Sequence, residues 1–451
     1  MATTAAYREV GEAAWSWVVS QVREGNGPWL PESVAQEAPQ QEPAQDRDSL
    51  YAGIAGLAPV LAEIELYRPL DREERGLAGR VVARLAAMAP KRVEPSLFDG
   101  LAGDVMAQRL LCPGAEQAAL GRLRDLMTPS GWPSTIELVP GSDAPVRDLA
   151  LGTAGVVLTA VWAGGQHAAT IATTGGESLL RAADVTDAGL DWAMVPGWAR
   201  RMPNYSHGTA GVATALAIAG TALGRADFLE AARLGAEHVV AVGCLDERGF
   251  VVPHTIPRSP RPVDPVTYTW CHGPAGTSYL FAALAYAGVT EVAGSPTTRL
   301  RQACLDAILS SGVPQRLRPG FWDNDGRCCG TAGVGDVLLD AAQNCPDSTR
   351  AGSLLEAART MGDALVQRAV VDQSGARWQF LEHRQDPPLL PPGTSWMQGA
   401  AGIAAYLLRL TRVLEDGLGA PVVDRPDQWW AVPTDVRTVH TATEGAPPLT
   451  I

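Results

Sequence analysis

The feature that most constrains the fold is a four-residue pattern, Gly-x-Ala-Gly, that occurs seven times between residues 53 and 402. A single Gly-x-x-Gly carries almost no information, but seven copies spaced 47 to 69 residues apart indicate one repeated unit. Glycine lets neighbouring backbones approach closely, so we expect the repeat starts to crowd together at one end of the molecule. The copies begin at Gly53, Gly100, Gly152, Gly208, Gly273, Gly330 and Gly399.

An apolar, helix-like run follows each copy, and second helices with one apolar face lie between copies. Residues 212–223 and 403–410 are runs of the first kind, and residues 226–242 are of the second kind. Strand-like alternation is lacking in these segments, so the pattern predicts an all-α fold with two helices per unit. Such an array can close into a ring or remain an open solenoid, and the crowding of glycines at one face favours the closed form.

We therefore expect a single domain over residues 1–451, with a repeat core at about 49–410. An amphipathic helix is predicted before the core, at residues 5–23. The segment from about 424 to 451 contains four prolines and lacks helical periodicity. It is predicted to be an irregular tail that packs on the rim or is mobile.

Composition excludes several classes of function. The net charge is -13 and no basic cluster exceeds three residues, whereas nucleic-acid binding requires clustered Lys and Arg. The longest apolar runs, 149–165 and 208–224, are rich in small residues and shorter than the roughly 20 residues of a spanning helix, which predicts buried core helices. The N-terminus has no apolar signal region. Seven cysteines, an odd number, then favour reduced thiols in the cytoplasm.

Three of these cysteines stand directly before two of the repeats. Cys271 lies in Trp-Cys-His-Gly, and Cys328 and Cys329 lie in Arg-Cys-Cys-Gly. Two adjacent thiolates and a distant third can form a three-ligand zinc site with an open fourth position, as catalytic zinc requires. Packing is the alternative, because buried free cysteines are common. Packing is also the interpretation for the other cysteines, which are Cys112, Cys244, Cys304 and Cys345.

Over about residues 49–410 the sequence resembles the lanthionine synthetase C-like family, the lanthipeptide cyclases. The motifs that carry the resemblance are Trp-Cys-His-Gly at 270–273, Ser-His-Gly-Thr-Ala-Gly at 206–211 and Cys-Cys-Gly-Thr-Ala-Gly at 328–333. The resemblance implies a closed α/α toroid with seven inner and seven outer helices and a zinc ion at one mouth. It implies that Cys271, Cys328 and Cys329 bind the zinc, with Cys329 where the family usually has histidine. The cyclase domains of large bifunctional lanthipeptide synthetases share this Cys-Cys-Gly pattern.

The resemblance also implies catalytic residues. His207 matches the family's active-site histidine, Asp148 matches an active-site aspartate, and His272 stands where a tyrosine is also found. Bacterial members often have an arginine four residues before the first zinc cysteine, and this chain has Thr267 there. From the residues alone, the histidines can instead be structural and Asp148 can instead cap the following helix.

The reaction implied is the addition of a cysteine thiol to dehydroalanine or dehydrobutyrine, which forms a lanthionine thioether ring. The implied partner is a dehydrated precursor peptide, leader plus core, and a separate dehydratase is a candidate second partner. One alternative is an enzyme of this fold that adds glutathione or another small thiol, because Trp-Cys-His-Gly also resembles the eukaryotic branch linked to glutathione. A non-catalytic, peptide-binding toroid is a second alternative, although a scaffold has no use for an open zinc position. A glycoside-processing toroid is less favoured, because no pair of acidic residues stands out at the helix starts.

Overall fold

Helices dominate the computed structural model, which describes residues 2–35, 42–43, 46–135, 144–260, 264–315, 324–382 and 386–438. Within these ranges there are fourteen α-helices, so the prediction of a mainly helical fold is confirmed. Those that start at the repeat glycines, here called the inner helices, are α2 (Leu57–Tyr67), α4 (Leu101–Leu111), α6 (Thr153–Ala163), α8 (Thr209–Leu223), α10 (Pro274–Tyr286), α12 (Thr331–Gln343) and α14 (Ala400–Asp416). The remaining, outer helices are α1 (Thr4–Gln21), α3 (Arg72–Met88), α5 (Gln117–Leu126), α7 (Ala168–Arg181), α9 (Ala226–Val242), α11 (Thr297–Ser310) and α13 (Ser348–Arg368).

The helices pack in the order of the repeats. Each inner helix contacts the inner helices of the two neighbouring repeats, and α14 also contacts α2. Most outer helices pack against the inner helix that precedes them in the chain, whereas α1 packs against α14. The N-terminal helix therefore belongs with the last repeat.

The repeat glycines are required by close backbone approaches. A Cβ atom on Gly208, at the N-cap of α8, would lie 1.6 Å from the carbonyl oxygen of Met202 in its own loop. A Cβ atom on Gly276, in the first turn of α10, would lie 1.9 Å from the Trp270 carbonyl oxygen and 2.7 Å from Cβ of Tyr205 in the preceding repeat. Glycine at these positions thus allows the start of a helix to pack closely against its own loop, and at Gly276 also against the preceding repeat.

The inner helices are the core of the molecule. In α8 every residue from Thr209 to Gly220 is buried, and α6 is buried from Thr153 to Ala160. These helices contain the two long apolar runs that were predicted to be core. Among the described helices, none has the length and apolar character that a membrane span needs.

Short strands occur only as connections in the described ranges. They form two-stranded sheets, and all but the last are antiparallel. None exceeds three residues, so within the described ranges they belong to the connections between helices and form no layer. They are β1 (Arg23–Glu24), β2 (Pro28–Trp29), β3 (Asp184–Thr186), β4 (Gly189–Asp191), β5 (Cys244–Asp246), β6 (Gly249–Val251), β7 (Glu291–Val292), β8 (Ser295–Pro296), β9 (Val370–Asp372), β10 (Gly375–Arg377), β11 (Phe380–Leu381), β12 (Leu389–Leu390), β13 (Val422–Val423) and β14 (Arg437–Thr438).

The segment after α14 turns inward. Asp427 and Gln428 are buried, and the Asp427 carbonyl accepts a hydrogen bond from the Tyr205 hydroxyl at 2.9 Å. The Trp430 indole donates to the carbonyl of Tyr279 in α10. The structure therefore differs from the predicted rim or mobile tail over residues 425–432, and residues 439–451 lie outside the described ranges.

Opposite charges explain why this segment is buried. Arg425 bonds to Asp336 in α12 at 3.1 Å and to Asp427 at 3.3 Å, and Arg409 in α14 bonds to Asp336. Arg327, directly before the cysteine pair, bonds to Asp336 and Asp427. Burial opposes ionisation of Asp336, but the three arginines outweigh it and hold the pKa of that carboxyl well below its usual range. We call this set, together with Asp340, the ion-pair network.

Candidate metal centre

Two residues precede the first glycine of each repeat, and in six of the seven repeats at least one of them lines a common cavity. In the described part of the chain, the first residue of each pair donates its backbone N–H to the carbonyl of the equivalent residue in the next repeat. The seven bonds, 2.8 to 3.3 Å long, form an unbroken circuit. The circuit holds the seven loops in register, so the side chains of neighbouring repeats face one space. It runs through Tyr51, Phe98, Ala150, Ser206, Cys271, Cys328 and Met397, and returns to Tyr51.

The three predicted metal ligands meet in this space. The Sγ atoms of Cys271, Cys328 and Cys329 all lie within 4.8 Å of one another, and those of Cys271 and Cys329 are 3.5 Å apart. All three residues are buried. Ligand sulfurs of a tetrahedral zinc site lie about 3.8 Å apart when each bond is about 2.3 Å. The donor set and its spacing therefore fit a metal ion of this kind.

The thiols themselves also favour a bound cation. Burial raises the pKa of Cys271 and of Cys329. Hydrogen bonds from the thiols of those two residues, and a further one with Tyr51, lower the pKa of Cys328. Burial thus opposes the ionisation of Cys271 and Cys329, whereas the surrounding hydrogen bonds favour the thiolate of Cys328. A bound divalent cation would allow all three thiols to ionise, because its positive charge stabilises the negative charges of the thiolates.

The predicted histidine and aspartate are paired. Nδ1 of His207 lies 2.8 Å from Oδ2 of Asp148, and the aspartate is buried whereas the histidine side chain is 27% exposed. Burial opposes the charged form of His207, but the Asp148 carboxylate outweighs it and raises the pKa of the imidazole. Asp148 also accepts from the backbone of Leu151 at 2.6 Å. It supports a turn before α6, whose N-cap is Gly152.

His272 lies between two other histidines. Its ring centroid is 5.5 Å from that of His207 and 4.1 Å from that of His254. The sequence analysis did not single out His254, which comes from the loop after β6. Thr267 is buried but does not line the cavity at the thiols.

The cavity at the thiols has a volume of about 260 Å³. Its lining is drawn from six repeats, almost wholly from the residue pairs before the glycines. The cavity therefore places the cysteines and both histidines around a common space. It is lined by Tyr51, Phe98, Asp99, Ala150, Leu151, Ser206, His207, Trp270, Cys271, His272, Cys328 and Cys329.

Three polar residues beside the cysteines were missed by the sequence analysis. Gln398 donates to Cys329 Sγ at 3.3 Å, and Thr269 Oγ1 lies 3.3 Å from Cys271 Sγ. The Tyr51 hydroxyl accepts from Gln398, and burial, together with the neighbouring cysteines and Cys328 above all, raises the pKa of that hydroxyl. A signal for two of them was present in the sequence. Tyr51 and Gln398 occupy the two positions before a repeat glycine, like the cysteines themselves.

A sequence profile described as lanthionine synthetase C-like protein matches residues 148–416 of this chain, which is more than half of its length. The chain belongs to the lanthionine synthetase C-like family. The matched region contains the three cysteines and the His207–Asp148 pair. A comparison with curated protein sequences gives no match.

Solved structures show what fold this member of the family has. Nisin cyclase matches with a TM-score of 0.55 and 14% identity, over 81% of this chain and 89% of that chain, so the two share a fold. Unsaturated glucuronyl hydrolases from Bacillus sp. GL1 and Streptococcus agalactiae match with TM-scores of 0.45 and 0.47 and identities of 15% and 10%. The first match covers 91% of this chain and 97% of the hydrolase, and the second covers 92% and 94%.

Proposed function

We propose that this protein is a zinc-dependent lanthipeptide cyclase. It would add cysteine thiols to dehydroalanine or dehydrobutyrine in a dehydrated precursor peptide and so form lanthionine rings. The observation that carries the proposal is the convergence of three buried cysteine thiols beside an ion-paired histidine, in one cavity of a family member with the fold of nisin cyclase.

Cys271, Cys328 and Cys329 would hold the zinc ion. When bound, zinc would supply the substrate cysteine in its thiolate form, which is the nucleophilic form. With three protein thiolates the set carries a formal charge near −1 before the substrate binds, so it suits the delivery of an electron-rich sulfur. The apolar side chains of Phe98, Ala150 and Leu151 line the cavity and would shield the attacked carbon from water.

His207 would exchange the proton that the reaction needs. Attack of sulfur on the β-carbon moves the double-bond electrons to the α-carbon, and the resulting enolate must gain a proton there. Asp148 bonds to Nδ1 of His207, so Nε2 is the atom that transfers the proton. The raised pKa of His207 keeps a larger share of the acid form near neutral pH. His272, packed beside His207, would orient the peptide or help in the transfer.

The architecture proposed with this function is a single-domain, closed α/α toroid of seven inner and seven outer helices. It is supported by the packing of α14 against α2 and by the unbroken circuit of backbone hydrogen bonds at the site. The reaction requires reduced thiols, so we propose a cytoplasmic location. A separate dehydratase would supply the unsaturated peptide.

The test is to incubate the purified, zinc-loaded protein with a dehydrated, cysteine-containing precursor peptide. Cyclisation leaves the peptide mass unchanged and makes its cysteines unreactive toward an alkylating agent. Added glutathione in the same mixture distinguishes the alternatives. A product heavier by the mass of glutathione, with the peptide's own thiols still reactive, would favour small-thiol addition. Tight binding of the peptide with no thioether formed would favour the non-catalytic scaffold.

A further inference from the structure

Each of the three clustered cysteines has its own polar neighbour. Thr269 Oγ1 lies 3.3 Å from Cys271 Sγ, and Nε2 of Gln398 lies 3.3 Å from Cys329 Sγ. Tyr51, which lines the same cavity as Cys328, is the polar neighbour of Cys328, and its hydroxyl also accepts from Gln398. The three partners come from three different repeats, so the arrangement is not a property of one loop.

The chemistry of these groups assigns the direction of each bond. Nε2 of Gln398 also bonds to the Tyr51 hydroxyl oxygen at 2.5 Å. An amide nitrogen has two hydrogens, so it can donate one to this oxygen and one to Cys329. The Tyr51 hydroxyl accepts in this contact, so its own hydrogen can be donated to Cys328. The reverse amide orientation would set a carbonyl oxygen against a thiolate, which is repulsive. Toward thiolates, therefore, all three partners are donors.

Several thiolates around one reaction space create a problem of selectivity. The proposed reaction needs one sulfur, that of the substrate, to attack an unsaturated carbon. The sulfurs of Cys271, Cys328 and Cys329 face the same cavity and have the same chemistry. A hydrogen bond to a thiolate stabilises its lone pairs and so lowers its nucleophilicity.

We propose that Thr269, Tyr51 and Gln398 are positioning residues that make the enzyme's own thiolates poor nucleophiles, so that the substrate thiolate alone attacks. This inference rests on the proposed function. It also explains how a site with three cysteines can avoid alkylation. The thiolate of Cys329, where the family usually has histidine, has its own hydrogen-bond donor in Gln398.

The side reaction that these donors suppress is self-alkylation. A cysteine Sγ forms a bond to the β-carbon of the dehydroamino acid, the double-bond electrons move to the α-carbon, and water supplies the proton there. The product is a thioether on the protein in place of a thiolate, so each turnover of this kind removes a metal ligand.

The experiment measures where a small acceptor reacts. The zinc-loaded, full-length protein is incubated with N-acetyldehydroalanine methyl ester without substrate thiol, and peptide mapping by mass spectrometry gives the adduct rate at each cysteine. We expect Gln398→Leu to raise the rate at Cys329 about tenfold, the effect of one hydrogen bond to a charged group. Thr269→Val should raise the adduct rate at Cys271 by a similar factor, and Tyr51→Phe should raise the adduct rate at Cys328.

Matched controls remove equivalent groups elsewhere in the core. Thr214 and Tyr406 are buried hydroxyl residues that bond to backbone carbonyls, of Ala210 and Ala358. Thr214→Val and Tyr406→Phe should leave all three adduct rates unchanged. If Gln398→Leu does not fold, Gln398→Glu replaces it, because an ionised carboxylate retains the shape and cannot donate.

A second readout does not depend on activity. In the cobalt-substituted protein, loss of a donor should shift the sulfur-to-metal charge-transfer band to lower energy, while metal content stays at the parent level. Adduct rates that stay at the parent value in all three variants, or that rise equally at all cysteines in each, overturn the inference. If the parent does not cyclise any precursor yet the variants show the one-to-one pattern, the proposed function fails and this inference stands. If the parent protein cyclises a precursor and the variants leave every adduct rate unchanged, this inference is wrong and the proposed function is unaffected.

Discussion

The inner helices bury polar side chains at two levels, and the two levels are built in opposite ways. At the helix starts the cavity collects thiols and histidines from several repeats. Around α12 and α14, the ion-pair network sets Arg327, Arg409 and Arg425 against Asp336, Asp340 and Asp427. The network pairs three arginines with three carboxylates and so balances its own charge. The thiol cluster gathers groups of one kind and has no such internal balance once its thiols ionise, which is why we propose a metal ion for it.

The sharpest way to test this contrast is to remove a thiol. Cys328→Ala should lower bound zinc from one ion per chain to none and reduce thioether formation to the background rate, because two sulfurs cannot complete the set. Metal analysis beside the cyclisation assay measures both. Cys304→Ala, a buried cysteine in α11, is the control and should retain metal and activity. A Cys329→Ala protein that keeps stoichiometric zinc would place the third ligand elsewhere, and His272 would be the first residue to examine.

Removing one member of the ion-pair network should damage stability instead of chemistry. Asp336→Ala leaves three arginines without their shared carboxylate in a buried setting, so we expect the free energy of unfolding to fall by about 3–5 kcal/mol. Denaturant titration gives this value. Glu230→Gln, in a surface pair with Arg233 on α9, should leave the unfolding energy nearly unchanged. Equal effects of the two substitutions would show that the network is not structural.

Removing the histidine should separate catalysis from metal binding. His207→Ala should retain a full complement of zinc, because its ring is not among the clustered ligands. Ring formation should slow by about 10²-fold, the usual contribution of a positioned acid or base. Single-turnover cyclisation and metal analysis on one preparation measure the two effects. A fully active His207→Ala protein would remove histidine from the mechanism.

Replacing Asp148 by a neutral residue should have the smallest effect on the rate of ring formation. Its effect on the pH dependence of that rate should be specific to His207. Asp148→Asn should lower the pKa of His207, because the negative charge that favours the imidazolium is lost. The limb of the pH–rate profile that reports His207 should move to lower pH, and the rate near neutral pH should fall about tenfold.

Asp148→Asn should also change how the free energy of unfolding depends on pH. A raised pKa in the folded state contributes stability that is full below the ordinary value of 6.5 and is lost as the pH rises through the folded-state value. Asp148→Asn should therefore cost most below about pH 6.5 and progressively less above it. Unfolding measured across this range gives the comparison. A stability loss that is constant with pH would mean that Asp148 acts only through its bond to the Leu151 backbone.

Much of the fold and several residues of the candidate site could be predicted from the sequence. The glycines mark helix starts because a Cβ atom there would collide with the backbone of its own loop, and the recurrence of the pattern in seven copies made this local constraint recognisable. The cysteines and His207 were recognisable because motifs surround them. Tyr51 and Gln398 were missed because their neighbours form no motif, although each stands in the same two-residue frame before a glycine.

The sequence by itself therefore determined the repeat, its helical form and the residues that begin each helix. Only the tertiary structure decided which residues meet. The circuit of backbone hydrogen bonds brings Tyr51, from the first repeat, and Gln398, from the last, to the cysteines of the fifth and sixth. Ion pairs likewise hold Arg425 and Asp427 in the core, although the prolines around them predict a tail that packs on the rim or is mobile. The physical reason is that a repeat is a local pattern, whereas hydrogen bonds and ion pairs between distant segments exist only once the chain is packed.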